Sequence, residues 1–264
     1  MQPSERDTAV DVESHDLFLK DLMRLHVWPE VERRQKAGLL PVPFGLKKFQ
    51  ILMWATKERG PKVLLNDEFR ILAEATLRRP DAIDPDGSIS TEEIERITRI
   101  VPVDEPDAAH ATFFQLNGAY YFVFDFTYNR SRAEAHLLRA QEFTAAAKSE
   151  LGAGRSNAAV ELLWSGVELA ALSILLTHPD PVIMTTKVHR IRRERFESHG
   201  RLNFSAQASL LRDLTELRNS ARYLEGPEPS KSEVRRHLRR ANKLVQYAQA
   251  RLHPPGISMD ATPT

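Results

Sequence analysis

The chain has 264 residues, of which 42% are hydrophobic and 28% charged, and its formal net charge is +1. This is the composition of a globular protein long enough for one large or two ordinary domains, and near-neutrality argues against a chain committed as a whole to nucleic acid or membrane. It contains no cysteine, which excludes disulfides, thiolate zinc sites and cysteine nucleophiles and accords with a reducing compartment.

The opening SERDTAVDVESHD is polar and acidic and predicts a frayed start without a signal peptide. No uninterrupted apolar run reaches the roughly 18 residues of a membrane span. The expectation is a cytoplasmic protein without membrane contact. Asp16 to Val27 has a helical apolar pattern, and Pro29 suits the first turn of a second helix, Glu30 to Lys36. LLPVPFG reads as a linker, and Leu46 to Thr56 as a further short helix. Lys62 to Leu65 and Phe69 to Leu77 read as two strands around the turn Asn66-Asp67. Arg79 to Ser90, with its prolines and glycine, is a loop. A helical turn follows at Ser90-Thr91-Glu92-Glu93, then a strand over Ile94 to Val103.

FFQLNGAYYFVFDF is the clearest local signal. Two aromatic, β-prone runs flank Asn117-Gly118, the dipeptide that a type I′ hairpin turn prefers. Strands are predicted at Ala111 to Leu116 and Ala119 to Phe126. Their aromatics suit a core covered on both faces better than a base-stacking platform, because no basic residues interleave them.

From Ser131 onward the period is helical. Helices are predicted near Ala133 to Leu151, Ser156 to Thr177, Thr185 to Glu197, Ala206 to Arg222 and Ser230 to Leu252. Gly152-Ala153-Gly154, His178-Pro179-Asp180-Pro181, His199-Gly200 and Gly226-Pro227-Glu228-Pro229 mark the breaks. Ser230 and Glu233 form a capping box for the last helix. The fold class expected is α+β. A mixed N-terminal domain with an antiparallel hairpin (1–130) precedes an all-α up-and-down bundle (131–252) and a disordered tail (253–264).

The second helix of the bundle is apolar nearly all round and should be central, yet Glu161 and Glu168 interrupt it. A carboxylate there needs a partner, and Glu168 is expected to find one on the next polar face along. That face is in LLRDLTELRNSARYLEG, where Arg218 and Arg222 lie one turn apart beside Asn219 and Tyr223. Paired guanidinium forks suit phosphate or carboxylate; the same arginines would also cap carbonyls or pair with acids. Basic residues collect in KVHRIRRERFESHGR, which includes His189, and in the last helix, at Lys231, Arg235, Arg236, His237, Arg239, Arg240 and Lys243. Two such helices would attract a polyanion or form a solvated face. No ligand spacing for a metal and no phosphate-binding glycine loop occurs, so no metal or cofactor is expected.

The helical half resembles a HEPN domain (higher eukaryotes and prokaryotes nucleotide-binding). The features are its length, the apolar helix with an internal Glu (VELAALSILL), the His-bearing third helix (TTKVHRIRRERF) and LRNSARYLEG closing the fourth. The whole chain looks like a bacterial group in which a β-rich part runs into such a bundle through an FDF-x-YNR-type junction, here FDFTYNR. The resemblance implies a bundle that usually forms homodimers. Many members are metal-independent ribonucleases of toxin–antitoxin and phage-defence systems, with a motif of Arg, a polar residue, three to five residues, then His. Arg218 and Asn219 match its first two positions, but after Arg222 it is Tyr223, Leu224 and Glu225 that stand where the His belongs. A base is needed to take the 2′-OH proton, and His suits that task as Arg does not. His189 is the candidate replacement. Arg193 to His199 has the motif spacing on a different helix.

Two functional classes therefore stand side by side. One is a non-catalytic module binding nucleotide, RNA or a protein partner through Arg218, Asn219, Arg222, Tyr223, Glu168 and His189, in phage defence or stress response. The other is a metal-independent endoribonuclease with Arg218, Asn219 and His189 as its catalytic candidates. A purely structural dimerisation bundle is the third reading.

Overall fold

In the computed structural model, residues 17–56, 59–79, 89–203, 205–223, 228–253 and 260–261 are described. The chain divides into two units, residues 1–125 with 255–264, and residues 126–254.

The first unit is built on the aromatic hairpin. Helical residues 17–22 run through a π-helical turn, Met23–Val27, into α1 (Trp28–Lys36), with Pro29 in its first turn; the two expected helices are thus one continuous stretch. The strands are β1 (Phe49–Met53), β2 (Lys62–Leu65), β3 (Ile71–Leu77), β4 (Ile94–Pro102), β5 (Ala109–Leu116), β6 (Ala119–Asp125) and the two-residue β7 (Asp260–Ala261). One sheet has the order β2-β1-β5-β6-β7, and β3 and β4 form a second. Every pairing is antiparallel. Asn117 and Gly118 both take positive φ, 51° and 79°, as the β5–β6 turn requires. The expected helix at Leu46 to Thr56 is instead β1. Phe49, Ile51 and Leu52 are buried on both faces between β2 and β5, and a central strand position overrides local helix preference. The two strands expected around Asn66-Asp67 do not form a hairpin; β2 pairs with β1 and β3 with β4. Phe122 packs with Val27 and Val31 of the helical stretch, while Phe114 and Tyr121 pack with Ile97 and Ile100 of β4. Both faces of the hairpin are therefore core. Most of the expected loop at 79–90 and of the expected disordered tail lies outside the described residues.

The second unit is all helix: α2 (Arg130–Gly152), α3 (Ser156–Leu176), α4 (Pro181–Thr185), α5 (His189–Asn203), α6 (Ser205–Ala208), α7 (Leu210–Tyr223) and α8 (Lys231–Leu252). α3 is the centre, with Leu163, Val167, Ala170, Ile174 and Leu176 essentially inaccessible. By length and composition it could cross a membrane, but 67% of its most apolar window is buried inside the unit. It runs antiparallel to α2, and the two approach closely through small residues. A Cβ added at Gly166 would lie 2.8 Å from Thr144 Oγ1 and 3.2 Å from the Ala140 carbonyl oxygen. Ser173 Oγ donates to the Ala133 carbonyl across the same contact, at 2.8 Å.

Two expected boundaries move. The helix expected from Thr185 begins at His189, because Thr186 turns extended and its Oγ1 accepts the Val188 N–H at 3.2 Å. His199-Gly200 does not end it. α5 continues to Asn203, since a single Gly costs a helix only about 1 kcal/mol and Phe196 is fully buried. The capping expectation at Ser230 is met by its Oγ, which accepts the Glu233 N–H at 3.2 Å.

Candidate functional site

Glu161, Trp164 and Glu168 recur at i, i+3 and i+7, so they share one face of α3. Thr215, Arg218 and Arg222 recur at the same intervals on α7. The two helices run antiparallel along this face, and their rows pair. Trp164 Nε1 donates to Thr215 Oγ1 at 3.0 Å. Arg218 Nε donates to Glu161 Oε2 at 2.9 Å, and Arg222 Nε lies 3.4 Å from Glu161 Oε1. The Arg218 guanidinium sits 4.0 Å from the centre of the Trp164 indole, a cation–π contact that fixes its plane.

The start of α5 completes the seam. His189 Nδ1 donates to Glu168 Oε1, and the His189 ring lies 5.8 Å from Trp164, centre to centre. Arg192 Nη1 is 3.9 Å from the same carboxylate oxygen, and its Nη2 donates to the Thr186 carbonyl at 2.8 Å. Glu168 is only 12% exposed at its side chain, so this cationic company is what permits a carboxylate there. Arg192 also acts on His136 of α2. The His136 imidazole is pushed below its ordinary value by burial first, then by Arg132, Arg192 and Arg139.

The expected partnership of Glu168 with the Arg218/Arg222 face is not what forms. Glu161 takes both arginines. In an antiparallel pair, rising numbers on α7 meet falling numbers on α3, and Glu168 lies two turns, about 10 Å, beyond Glu161. The seam thus brings Arg218, Arg222, Glu168 and His189 onto one surface around Trp164, while Asn219 and Tyr223 are exposed, Tyr223 to 62%. Among the described residues, no hydrogen bond or ion pair joins His189 to Arg218. His199 lies elsewhere, with its ring 4.3 Å from that of His178. Sequence reasoning missed Trp164, Thr215, Arg192 and the role of Glu161. The readable signal was the row Glu161-Trp164-Glu168 at helical spacing in an otherwise apolar helix. Among the described residues, no group of three or more His, Asp or Glu side chains is placed to hold a metal ion.

Residues 133–251 match the family model of the HEPN domain. This part of the chain is a HEPN domain. No curated protein matches the sequence. Within this unit Arg218 and Asn219 occupy the C-terminal half of α7.

Proposed function

We propose that the HEPN unit is a cytoplasmic, non-catalytic binding module whose Arg218 fork takes a phosphate of a nucleotide or RNA, in phage defence or stress response. The supporting observation is the way Arg218 is held. Its plane is set by Trp164 and its Nε by Glu161, and among the described residues neither terminal nitrogen has a hydrogen-bond partner. Two parallel donors, oriented before a ligand arrives, suit a phosphate edge and reduce the ordering cost of binding. Arg222 adds positive charge one turn away. The bundle is also proposed to pair as a homodimer, which sedimentation in solution tests.

A second reading, the metal-independent endoribonuclease, draws support from the His189–Glu168 pair. A carboxylate on Nδ1 fixes the tautomer and leaves Nε2 as the basic nitrogen. In this reading Nε2 takes the 2′-OH proton, the 2′-oxygen attacks phosphorus, the 5′-oxygen leaves, and Arg218 stabilises the charged transition state.

The experiment is RNA binding and cleavage in the presence of a chelator, with wild type beside Arg218→Ala and His189→Ala. The binding module predicts no cleavage and a loss of affinity of about tenfold or more in Arg218→Ala. Cleavage abolished in both variants would establish the ribonuclease instead. Neither binding nor cleavage would leave a dimerisation scaffold.

A further inference from the structure

α8 carries a second cationic feature that the Arg218 seam does not use. Lys231, Arg235, Arg239 and Lys243 follow one another at intervals of four residues and are all exposed. They form a row along one side of the helix, with about 6 Å between neighbours and about 18 Å from end to end. The other cations of α8 are engaged: Arg236 pairs with Glu233 at 3.7 Å and Arg240 with Asp213 at 2.7 Å. Glu233 is the only acid in the helix. Among the described residues, none of the four in the row has an ion-pair partner.

Such a row works against its own helix. Like charges at i and i+4 repel, and Lys231 and Arg235 stand at the N-terminal end, where the helix dipole disfavours cations. The buried face of α8, with Val234, Leu238, Ala241 and Leu244, accounts for the helix without requiring the row. An external polyanion would relieve the repulsion.

We propose that this row is a docking surface for the phosphate backbone of one nucleic-acid strand. Its spacing is comparable to that of successive phosphates along a strand, so four cations can follow four phosphates. The exposed residues beside it, Ser232, Asn242 and Gln246, are donors of the kind that contact phosphate oxygens. The row has no apolar residue of its own, whereas a membrane-surface helix needs a buried apolar face and a protein hot spot needs an aromatic or aliphatic anchor. The surface lies on a different helix from Arg218, and the inference stands whether or not the Arg218 seam takes a ligand.

The test is fluorescence anisotropy of a labelled single-stranded oligo-uridine of about 20 nucleotides against the full chain, at several salt concentrations. Four phosphate contacts predict a log–log salt slope near about −2.8, a loss of roughly fifty-fold between about 50 and 200 mM salt. Arg235→Gln/Arg239→Gln should weaken binding by at least about tenfold at low salt and reduce the slope by about 1.4. It should keep its helical circular dichroism, since it removes repulsion. Arg218→Ala, which removes at most one phosphate contact, should lower the slope by no more than about 0.7 and leave most of it in place. The proposal is overturned if wild type does not bind at low salt, if the double variant binds with the same slope, or if Arg218→Ala alone removes the salt dependence. Binding to anionic phospholipid vesicles or to poly-glutamate in preference to the oligonucleotide would overturn it as well.

Discussion

The two sides of α3 are held by different physics. Toward α2 it is packed by volume. Gly166 and the alanines bring the backbones so close that a Cβ added at Gly166 would crowd Thr144 and the Ala140 carbonyl, and a change of one methyl group is felt. Toward α5 and α7 it is matched by charge. Glu161 and Glu168 each meet cations from a neighbouring helix, around an indole that both rows touch. The first side tolerates little but asks only for size and shape. The second tolerates change in stability but depends on which helix arrives with which residue. A functional surface belongs on the second side, where groups stay partly exposed and a ligand can compete for them.

The sharpest break of this contrast is on the packed side. Leu163→Ala removes a fully buried side chain and should cost about 3 kcal/mol, read as a lower urea midpoint with unchanged slope. Gly166→Val should cost about 2 kcal/mol by overpacking, although in an exposed helix the loss of glycine would help. A Gly166→Val protein as stable as wild type would show that α2 and α3 are free to move apart.

Acidification probes the histidines of the same unit. His178 is held down to about 4 from an ordinary 6.5, by burial first and then by His199 and Arg251. His199 and His237 are also lowered, mainly by burial. The unfolded chain therefore takes up protons between pH 6.5 and about 4 that the folded unit does not. Stability is complete above pH 6.5 and declines as pH falls toward 4. Urea midpoints should be lower at pH 5 than at pH 7, and His178→Gln should narrow the gap.

On the charge-matched side the effects on stability are smaller. Glu161→Gln keeps the shape but leaves Arg218 and Arg222 without an anion; about 1 kcal/mol is expected. Arg222→Ala, with half its side chain exposed, should cost less than about 0.5 kcal/mol. A loss of several kcal/mol from either would make the seam structural and remove the contrast. If the seam binds phosphate, both substitutions should change affinity more than they change the urea midpoint.

Most of the helical unit was legible because each helix repeats its apolar residues at its own period, and Asn117-Gly118 announced the hairpin by the positive φ its turn requires. β1 was not legible. FQILM is apolar except for Gln50, a run that suits a buried helix or a buried strand equally, and only its neighbours β2 and β5 resolve the choice. The site was half legible. Arg218, Arg222, Glu168 and His189 are visible as polar residues at helical spacing, whereas Trp164 read as core and Glu161 as the lesser of two carboxylates.

The amino-acid sequence by itself determined the long helices of the second unit, which face of each is apolar, and that α3 lies at the centre with two carboxylates to satisfy, because these are properties of spacing along one chain. Tertiary structure alone decided that Glu161 rather than Glu168 receives Arg218 and Arg222, and that His189 and Arg192 go to Glu168. The physical reason is register. A shift of two turns between packed helices leaves every local period unchanged while moving each charge about 10 Å relative to its partner, and only the interlocking of buried side chains sets that shift.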